Sequence, residues 1–350
     1  MNGSEFTRTV LAWYDQGHRD LPWRHTKDAY RIWISEIMLQ QTRAETVVSY
    51  YDRFLKKYPT VQALADAPQE ELLKQWEGLG YYSRARSLQK AAKTIVSDFG
   101  GQLPASVQQL RSLPGIGDYT AGAIASIAFG IPAAAVDGNV ERVICRYYAI
   151  EDIVGTPAVR RMITEKTQAL VPADRPGVFA NAMMEMGATM CTPKKPACLL
   201  CPVRETCRGF AKGIAAELPH KAKKKAQRVE NRAVLLVFHR DRVLVTKRKE
   251  KLLGGLFVFP DVLEENDPAA LCAALETQGI RAAYDERIGH AKHVFTHLIW
   301  EMDVHALIAD EMTEIPDGQW VTRDELERLP LPTAVKAARG WAMERLKGEI

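Results

Sequence analysis

Two rhythms of apolar and polar positions divide the chain. From its start to about residue 210 the pattern is helical, and the helices it predicts are broken at Pro22, Pro59, Pro68, Pro104, Pro114, Pro132 and Pro172. The clearest case is Val140, Val143, Ile144 and Tyr147, which follow the i, i+3, i+4, i+7 spacing of one helix face. Asp137 stands just ahead of them, where N-caps stand. After about residue 230 the rhythm changes. Ala233-Val234-Leu235-Leu236-Val237-Phe238 and Val243-Leu244-Val245 are short β-rich runs separated by the polar turn His239-Arg240-Asp241-Arg242, a hairpin. Two helical stretches near 267–279 and 323–347 and another strand near 293–307 complete an α+β pattern. The chain is therefore expected to be multidomain, with an all-α region over 1–210 and an α+β domain over 231–350. A basic interdomain linker over 211–230 contains His220-Lys221-Ala222-Lys223-Lys224-Lys225-Ala226.

Composition adds limits. A chain of 350 residues exceeds the usual single-domain size. With 47 Lys and Arg against 43 Asp and Glu, the net charge of +4 is only a weak pointer to an anionic partner. No apolar run approaches the roughly 20 residues that span a bilayer, and no secretory pattern opens the chain. The expectation is a cytoplasmic protein, a monomer with no membrane partner. Of six cysteines, Cys145 and Cys272 stand alone in apolar segments, as small hydrophobes do.

The candidate chemistry is distributed over both regions. Leu113-Pro114-Gly115-Ile116-Gly117-Asp118-Tyr119-Thr120-Ala121 reads as a glycine hairpin opening a helix, where the N-H groups around Gly115 and Gly117 can hold a DNA phosphate. Glu36 is the sole acid in Ile32–Thr42; on a helix its neighbours are Ile32, Trp33, Leu39 and Gln40. A carboxyl desolvated by such neighbours has a raised pKa and can act as a general acid, although an exposed edge of the stripe would be the more ordinary place for it. Tyr81 and Tyr82 follow two glycines and precede Arg84 and Arg86, as a wedge entering a base stack would; half-buried core is the alternative, favoured for at least one of them. Arg19 and Arg24 flank a Pro-Trp pair, which suits a structural loop or a DNA-backbone contact equally. Cys191, Cys198, Cys201 and Cys207 form C-x6-C-x2-C-x5-C in a proline-rich loop, with Lys194 and Lys195 within reach of phosphate. Four such thiolates call for a metal, either zinc or a 4Fe-4S cluster.

Taken together, Leu113 to Ala121, Val136 to Val140, Glu36 to Thr42 and the four cysteines resemble the helix-hairpin-helix superfamily of base-excision DNA glycosylases, most closely its MutY-type adenine DNA glycosylases. The resemblance implies that the cysteines hold a 4Fe-4S cluster. It also implies a partner, double-stranded DNA with adenine mispaired opposite 8-oxoguanine or guanine, from which the adenine is flipped out and removed. Glu36 matches the acid that protonates adenine at N7, and Asp137 the carboxylate facing the sugar. The helix N-terminus behind Asp137 is expected to favour its ionised state. Tyr119 and Asn139 match residues that support this pair by hydrogen bonding; Tyr81 and Leu39-Gln40-Gln41-Thr42 match those that fill the space around the unstacked bases. Relatives that also cut the strand carry a lysine where this chain has Tyr119, so the expectation is a monofunctional enzyme.

The second domain resembles MutT-type Nudix hydrolases, with Gly255-Leu256-Phe257-Val258-Phe259-Pro260 like the strand entering their catalytic box. The box itself departs, since Cys272-Ala273-Ala274-Leu275-Glu276-Thr277-Gln278 stands where magnesium-binding carboxylates would cluster. A recognition domain is expected, with Phe295-Thr296-His297 matching the Phe-Ser-His turn that inspects 8-oxoguanine. Competing readings are a bifunctional pyrimidine-lesion glycosylase of the same fold, a Nudix hydrolase, and a non-catalytic iron-sulfur DNA-binding protein.

Overall fold

The computed structural model of the chain describes residues 3–223 and 226–348, so Lys224 and Lys225 of the basic run lie outside the described residues. Contacts divide the chain into two units, one of Met1–Ala67 and Arg86–Lys223, the other of Pro68–Ala85 and Lys224–Ile350.

Among the described residues, twelve α-helices precede the first strand: α1 (Gly3–Gln16), α2 (Ala29–Leu39), α3 (Ala44–Lys57), α4 (Val61–Ala65), α5 (Gln69–Gln75), α6 (Ser83–Phe99), α7 (Val107–Ser112), α8 (Asp118–Phe129), α9 (Gly138–Tyr148), α10 (Pro157–Gln168), α11 (Pro176–Glu185) and α12 (Arg208–Ala211). None of the seven prolines named above falls inside an α-helix, while Pro157 and Pro176 take the first turn of α10 and α11, where a missing N-H costs nothing. At the centre of the first unit is α8, whose residues Ala121 to Ser126, all small but Ile124, are buried and let α2 and α11 pack against it. A second core joins α1 to α9, α10 and α11 through Phe6, Val10, Ile144, Ile163, Phe179 and Met183. Val140, Val143, Ile144 and Tyr147 all face it, as their spacing predicts.

Seven strands form one sheet in the second unit: β1 (Arg228–His239), β2 (Arg242–Lys247), β3 (Phe257–Val258), β4 (Asp261–Leu263), β5 (Ala282–Val294), β6 (Leu298–Ala309) and β7 (Gly318–Val321). The path is β3-β2-β1-β6-β5, with β4 on β1 and β7 on β2; β1 and β6 are parallel. Helices α13 (Pro268–Glu276), α14 (Arg323–Arg328) and α15 (Lys336–Arg345) cover the two faces. Ala233, Leu235 and Val237 point toward Leu271 and Leu275 of α13, and Val234, Leu236 and Phe238 point toward Leu326, Ala338 and Ala342 of α14 and α15. A strand buried on both faces reads as a continuous apolar run, which is how β1 reads.

Three expectations change. The strand near 293–307 is two strands, the end of β5 and most of β6, with Phe295-Thr296-His297 in the turn between them. The helical stretch near 323–347 is broken after α14, because Pro330 and Pro332 hold the chain extended there. The segment 211–230 is not uniformly solvated: Ala215 and Leu218 are buried, His220 accepts from the Val154 N-H, and β1 already begins at Arg228.

Candidate functional site

Asp28 caps α2 by accepting from the N-H groups of Tyr30 and Arg31, and the helix then runs buried through Glu36, which is only 3 % exposed. The exposed-edge alternative for Glu36 therefore falls away. Tyr119, in the first turn of α8, donates its hydroxyl proton to Glu36 Oε2 and lies 3.4 Å from the Met184 sulfur of α11. Burial pushes the Glu36 carboxyl from the ordinary 4.5 to about 7; the Tyr119 hydrogen bond and Arg24 oppose that shift, and the charge of Asp137 adds to it. The Tyr119 hydroxyl is driven well above its ordinary value, first by burial and then by Glu36 and Asp137.

Asp137 is the N-cap of α9. Its Oδ1 accepts from the N-H groups of Asn139 at 2.9 Å and Val140 at 2.7 Å, and its Oδ2 from Asn139 Nδ2 at 2.8 Å. These bonds favour the carboxylate, as expected of a helix N-terminus, yet burial outweighs them and the net shift is upward.

Asn139 is itself held. Arg142, one turn on, donates to Asn139 Oδ1 at 2.8 Å, to the Gly187 carbonyl at 2.7 Å and to the Cys191 carbonyl at 2.8 Å. The chain leaving α11 passes so near that a Cβ at Gly187 would meet the Asn139 Cβ at 2.5 Å. Arg146, another turn on and 2 % exposed, donates to the carbonyls of Thr192, Pro193 and Leu218 and to Cys191 Sγ at 3.4 Å. Neither arginine was anticipated: they stand one and two turns beyond Asn139 on a helix that also carries Glu141, with no local sign that they turn inward.

Cys191, Cys198, Cys201 and Cys207 are free thiols that line one apolar cavity with Val143, Tyr147 and Met186. As they stand, no three His, Cys, Asp or Glu side chains among the described residues are arranged to hold a metal ion. Burial pushes the thiols of Cys198, Cys201 and Cys207 up, so a bound cation is what would gather them as thiolates. Four sulfurs on one apolar cavity, backed by two guanidinium groups on the loop carbonyls, are a donor set of the kind that a soft, thiolate-bound metal takes.

Gly115 has φ +79° in the hairpin between α7 and α8, and a Cβ there would meet the Ser87 Cβ at 2.7 Å. Gly117 is the extended N-cap of α8 with open space around it, so its backbone is approachable from outside. Leu39 ends α2, Gln40 caps it and donates to Thr120 Oγ1 at 3.3 Å, Gln41 is exposed at φ +62°, and the half-buried Thr42 follows. Tyr82 is buried, as expected of one of the pair, and Tyr81 is 50 % exposed at φ +47°. Its hydroxyl lies 2.8 Å from Thr296 Oγ1, both residues belonging to the second unit. In the turn after β5, Thr296 and His297 are exposed while Phe295 packs edge-on against buried Trp300, ring centroids 4.8 Å apart, and its carbonyl accepts from Gln227.

Arg19 and Arg24 take the structural-loop alternative. Arg24 is buried on Glu185 at 2.7 Å, and Arg19 adds a main-chain and two side-chain donors to the same carboxyl. Burial alone would raise Glu185, but these two guanidinium groups hold it at about 2. Glu185, which sequence reasoning missed, is thus the shared partner of both arginines, with the Arg19 side chain still 36 % exposed. Lys194 and Lys195 remain exposed.

Residues 34–169 match the model of the HhH-GPD superfamily of base excision DNA repair proteins, and residues 233–339 that of the NUDIX domain. The adenine DNA glycosylase of Homo sapiens is 35 % identical over 95 % of this chain and 72 % of its own length. That of Mus musculus is 36 % identical over 95 % and 76 %. Among solved structures, a thermostable thymine-DNA glycosylase superposes with a TM-score of 0.55 at 33 % identity, over 60 % of this chain and 97 % of its own. With relatives of one activity matched along nearly its whole length, and the two domain models in the same order, the chain belongs to the adenine DNA glycosylase family of the helix-hairpin-helix superfamily.

Proposed function

We propose that the protein is a monofunctional adenine DNA glycosylase that hydrolyses the N-glycosidic bond of adenine mispaired opposite 8-oxoguanine or guanine. The observation that carries the reading is the pair of buried carboxyls with separate support: Glu36 on Tyr119, and Asp137 on Asn139 and the α9 amides. Glu36, protonated near neutrality, gives its proton to N7 of the extruded adenine. The C1′–N9 bonding pair then leaves with the base. Asp137 faces the cationic sugar and bonds to C1′ in a double displacement that water completes, leaving an abasic site. Tyr119 has no amine to form a Schiff base, so the strand is left intact.

The hairpin at Gly115 and Gly117 holds a backbone phosphate through its N-H groups. Tyr81 and Leu39 to Thr42 fill the stack around the extruded base, and Phe295, Thr296 and His297 read the opposite lesion. The four cysteines would hold a 4Fe-4S cluster, which when bound supplies a structural staple for residues 191–207. Arg142 and Arg146 fix that loop to α9, the helix that carries Asp137. Removing the cluster should unfold the loop and weaken DNA binding. The enzyme acts as a monomer on cytoplasmic DNA; among the described residues no helix is long and apolar enough to cross a membrane.

The deciding experiment is single-turnover adenine release from a duplex with adenine opposite 8-oxoguanine, with and without alkali, for the native chain and Glu36→Gln. Alkali-dependent cleavage by the native chain alone is expected. Breaks without alkali would mean a lyase, and equal activity of the two chains would remove Glu36 from the chemistry.

A further inference from the structure

The Tyr119 hydroxyl has one hydrogen and two acceptors. Glu36 Oε2 lies on one side of it, and Met184 Sδ, at 3.4 Å, on the other. Met184 sits in the last turn of α11, half-buried against the same small-residue cluster of Ala123, Ala135 and Ala180 that receives the Tyr119 ring. When Glu36 is ionised, the tyrosine hydrogen belongs on the carboxylate. When Glu36 is neutral, its own O-H points at the tyrosine oxygen, and the tyrosine hydrogen needs another acceptor in surroundings dry enough to desolvate it.

We propose that Met184 is a positioning residue for the general acid, its thioether accepting the Tyr119 hydrogen whenever Glu36 carries a proton. This rests on the assignment of Glu36 as the acid. The chain Glu36 O-H to Tyr119 Oη, then Tyr119 O-H to Met184 Sδ, stabilises the neutral carboxyl. When the Glu36 proton passes to N7 of adenine, the tyrosine hydroxyl turns about its C–O bond from sulfur to the new carboxylate. No bond to tyrosine or methionine forms or breaks; the toggle moves one hydrogen between two acceptors. The other charges bearing on Glu36 are Asp137 ahead of α9, which favours the neutral form, and Arg24 from the turn before α2, which opposes it. Neither offers the tyrosine hydrogen a place, whereas the sulfur does.

The test is the pH profile of single-turnover adenine release by the full, cluster-loaded chain. Met184→Leu keeps the volume and removes the acceptor. Loss of a weak O-H to sulfur bond should move the limb on which activity falls with rising pH down by about half a unit, making release about threefold slower above it. Met184→Gln, with a stronger acceptor of the same length, should move that limb up relative to Met184→Leu, and it decides alone if the leucine variant does not fold. In a Tyr119→Phe background neither substitution should shift the limb. The proposal is overturned if Met184→Leu leaves the limb in place, if Gln and Leu coincide, or if the shift survives in Tyr119→Phe. Failure of the Glu36 assignment looks different: Glu36→Gln would then stay active whatever Met184 does.

Discussion

At the scale of single residues, the site holds a carboxyl where the exclusion of solvent disfavours a charge. Burial sets the Glu36 pKa near 7 against an ordinary 4.5, so the folded protein binds this proton more tightly than the unfolded chain does. The sign follows: the folded state is favoured below about pH 4.5, and that advantage is lost as pH rises through about 7. Glu36→Gln, neutral at every pH, should therefore be more stable than the native chain at pH 8, by on the order of 3 kcal/mol, with the difference vanishing near pH 4.5. Denaturant melts at the two pH values measure it; equal differences at both would mean that Glu36 is solvated. The same substitution should slow adenine release by about a hundredfold or more. Asp137→Asn separates cap from chemistry in another way. Asparagine caps a helix about as well as aspartate, so melting should change little, while release falls by about 10² or more for want of an anion facing the sugar. A large loss of stability with full activity would assign Asp137 to the cap alone.

At the scale of elements, α9 is the piece on which most of the site depends. Its first turn presents Asp137 and Asn139, and its outer face sends Arg142 and Arg146 into the cysteine loop. Arg142→Met keeps the stem but leaves Asn139 Oδ1 and the Gly187 and Cys191 carbonyls without this donor. The expected cost is about 1–3 kcal/mol, together with slower adenine release, because Asn139 loses the bond that orients it toward Asp137. A melt and a single-turnover assay read both, and a drop in stability with release unchanged would confine Arg142 to the loop. Much of this helix was legible. Apolar spacing gave its buried face, Asp137 its start, and the hairpin glycines the entry to α8. The arginines were not legible, because a charge on a helix points by default to solvent, and only the approach of a loop far along the chain turns it inward. Arg19 and Arg24 show the same limit in reverse: their ion pair is with Glu185, distant in sequence, and local context cannot supply it. The break after α14 was available from Pro330 and Pro332. The hairpin between β5 and β6 was hidden because Val294-Phe295-Thr296-His297-Leu298-Ile299-Trp300 has no glycine, proline, asparagine or aspartate to mark a turn, and its identification came only through resemblance.

At the scale of the molecule, residues far apart in the chain converge on the turn proposed to read the lesion. Residues 68–85 belong with the sheet unit although they lie inside the helical stretch of the sequence. Ion pairs of Lys247 with Glu70 and of Arg339 with Glu77 hold them there, as do bonds from Lys74 to the carbonyls of Glu327 and Leu329. The segment carries Tyr81, and its hydroxyl meets Thr296 of the turn assigned to 8-oxoguanine. The proposed wedge and the proposed reader are thus joined by one hydrogen bond between two exposed side chains, a bond worth little to stability, so its removal should act on recognition. Tyr81→Phe keeps the ring for stacking and removes only that bond, while Thr296→Ala removes the hydroxyl on the other side. Each should lower the ratio of adenine release opposite 8-oxoguanine to release opposite guanine by about three- to tenfold, with the guanine rate nearly unchanged. Because both remove the same bond, the double variant should do no more than the larger single one, provided Thr296 acts through Tyr81. A double variant whose losses multiply would mean instead that Thr296 touches the lesion itself. A guanine rate falling in step with the 8-oxoguanine rate would place Tyr81 in general DNA distortion rather than in lesion reading.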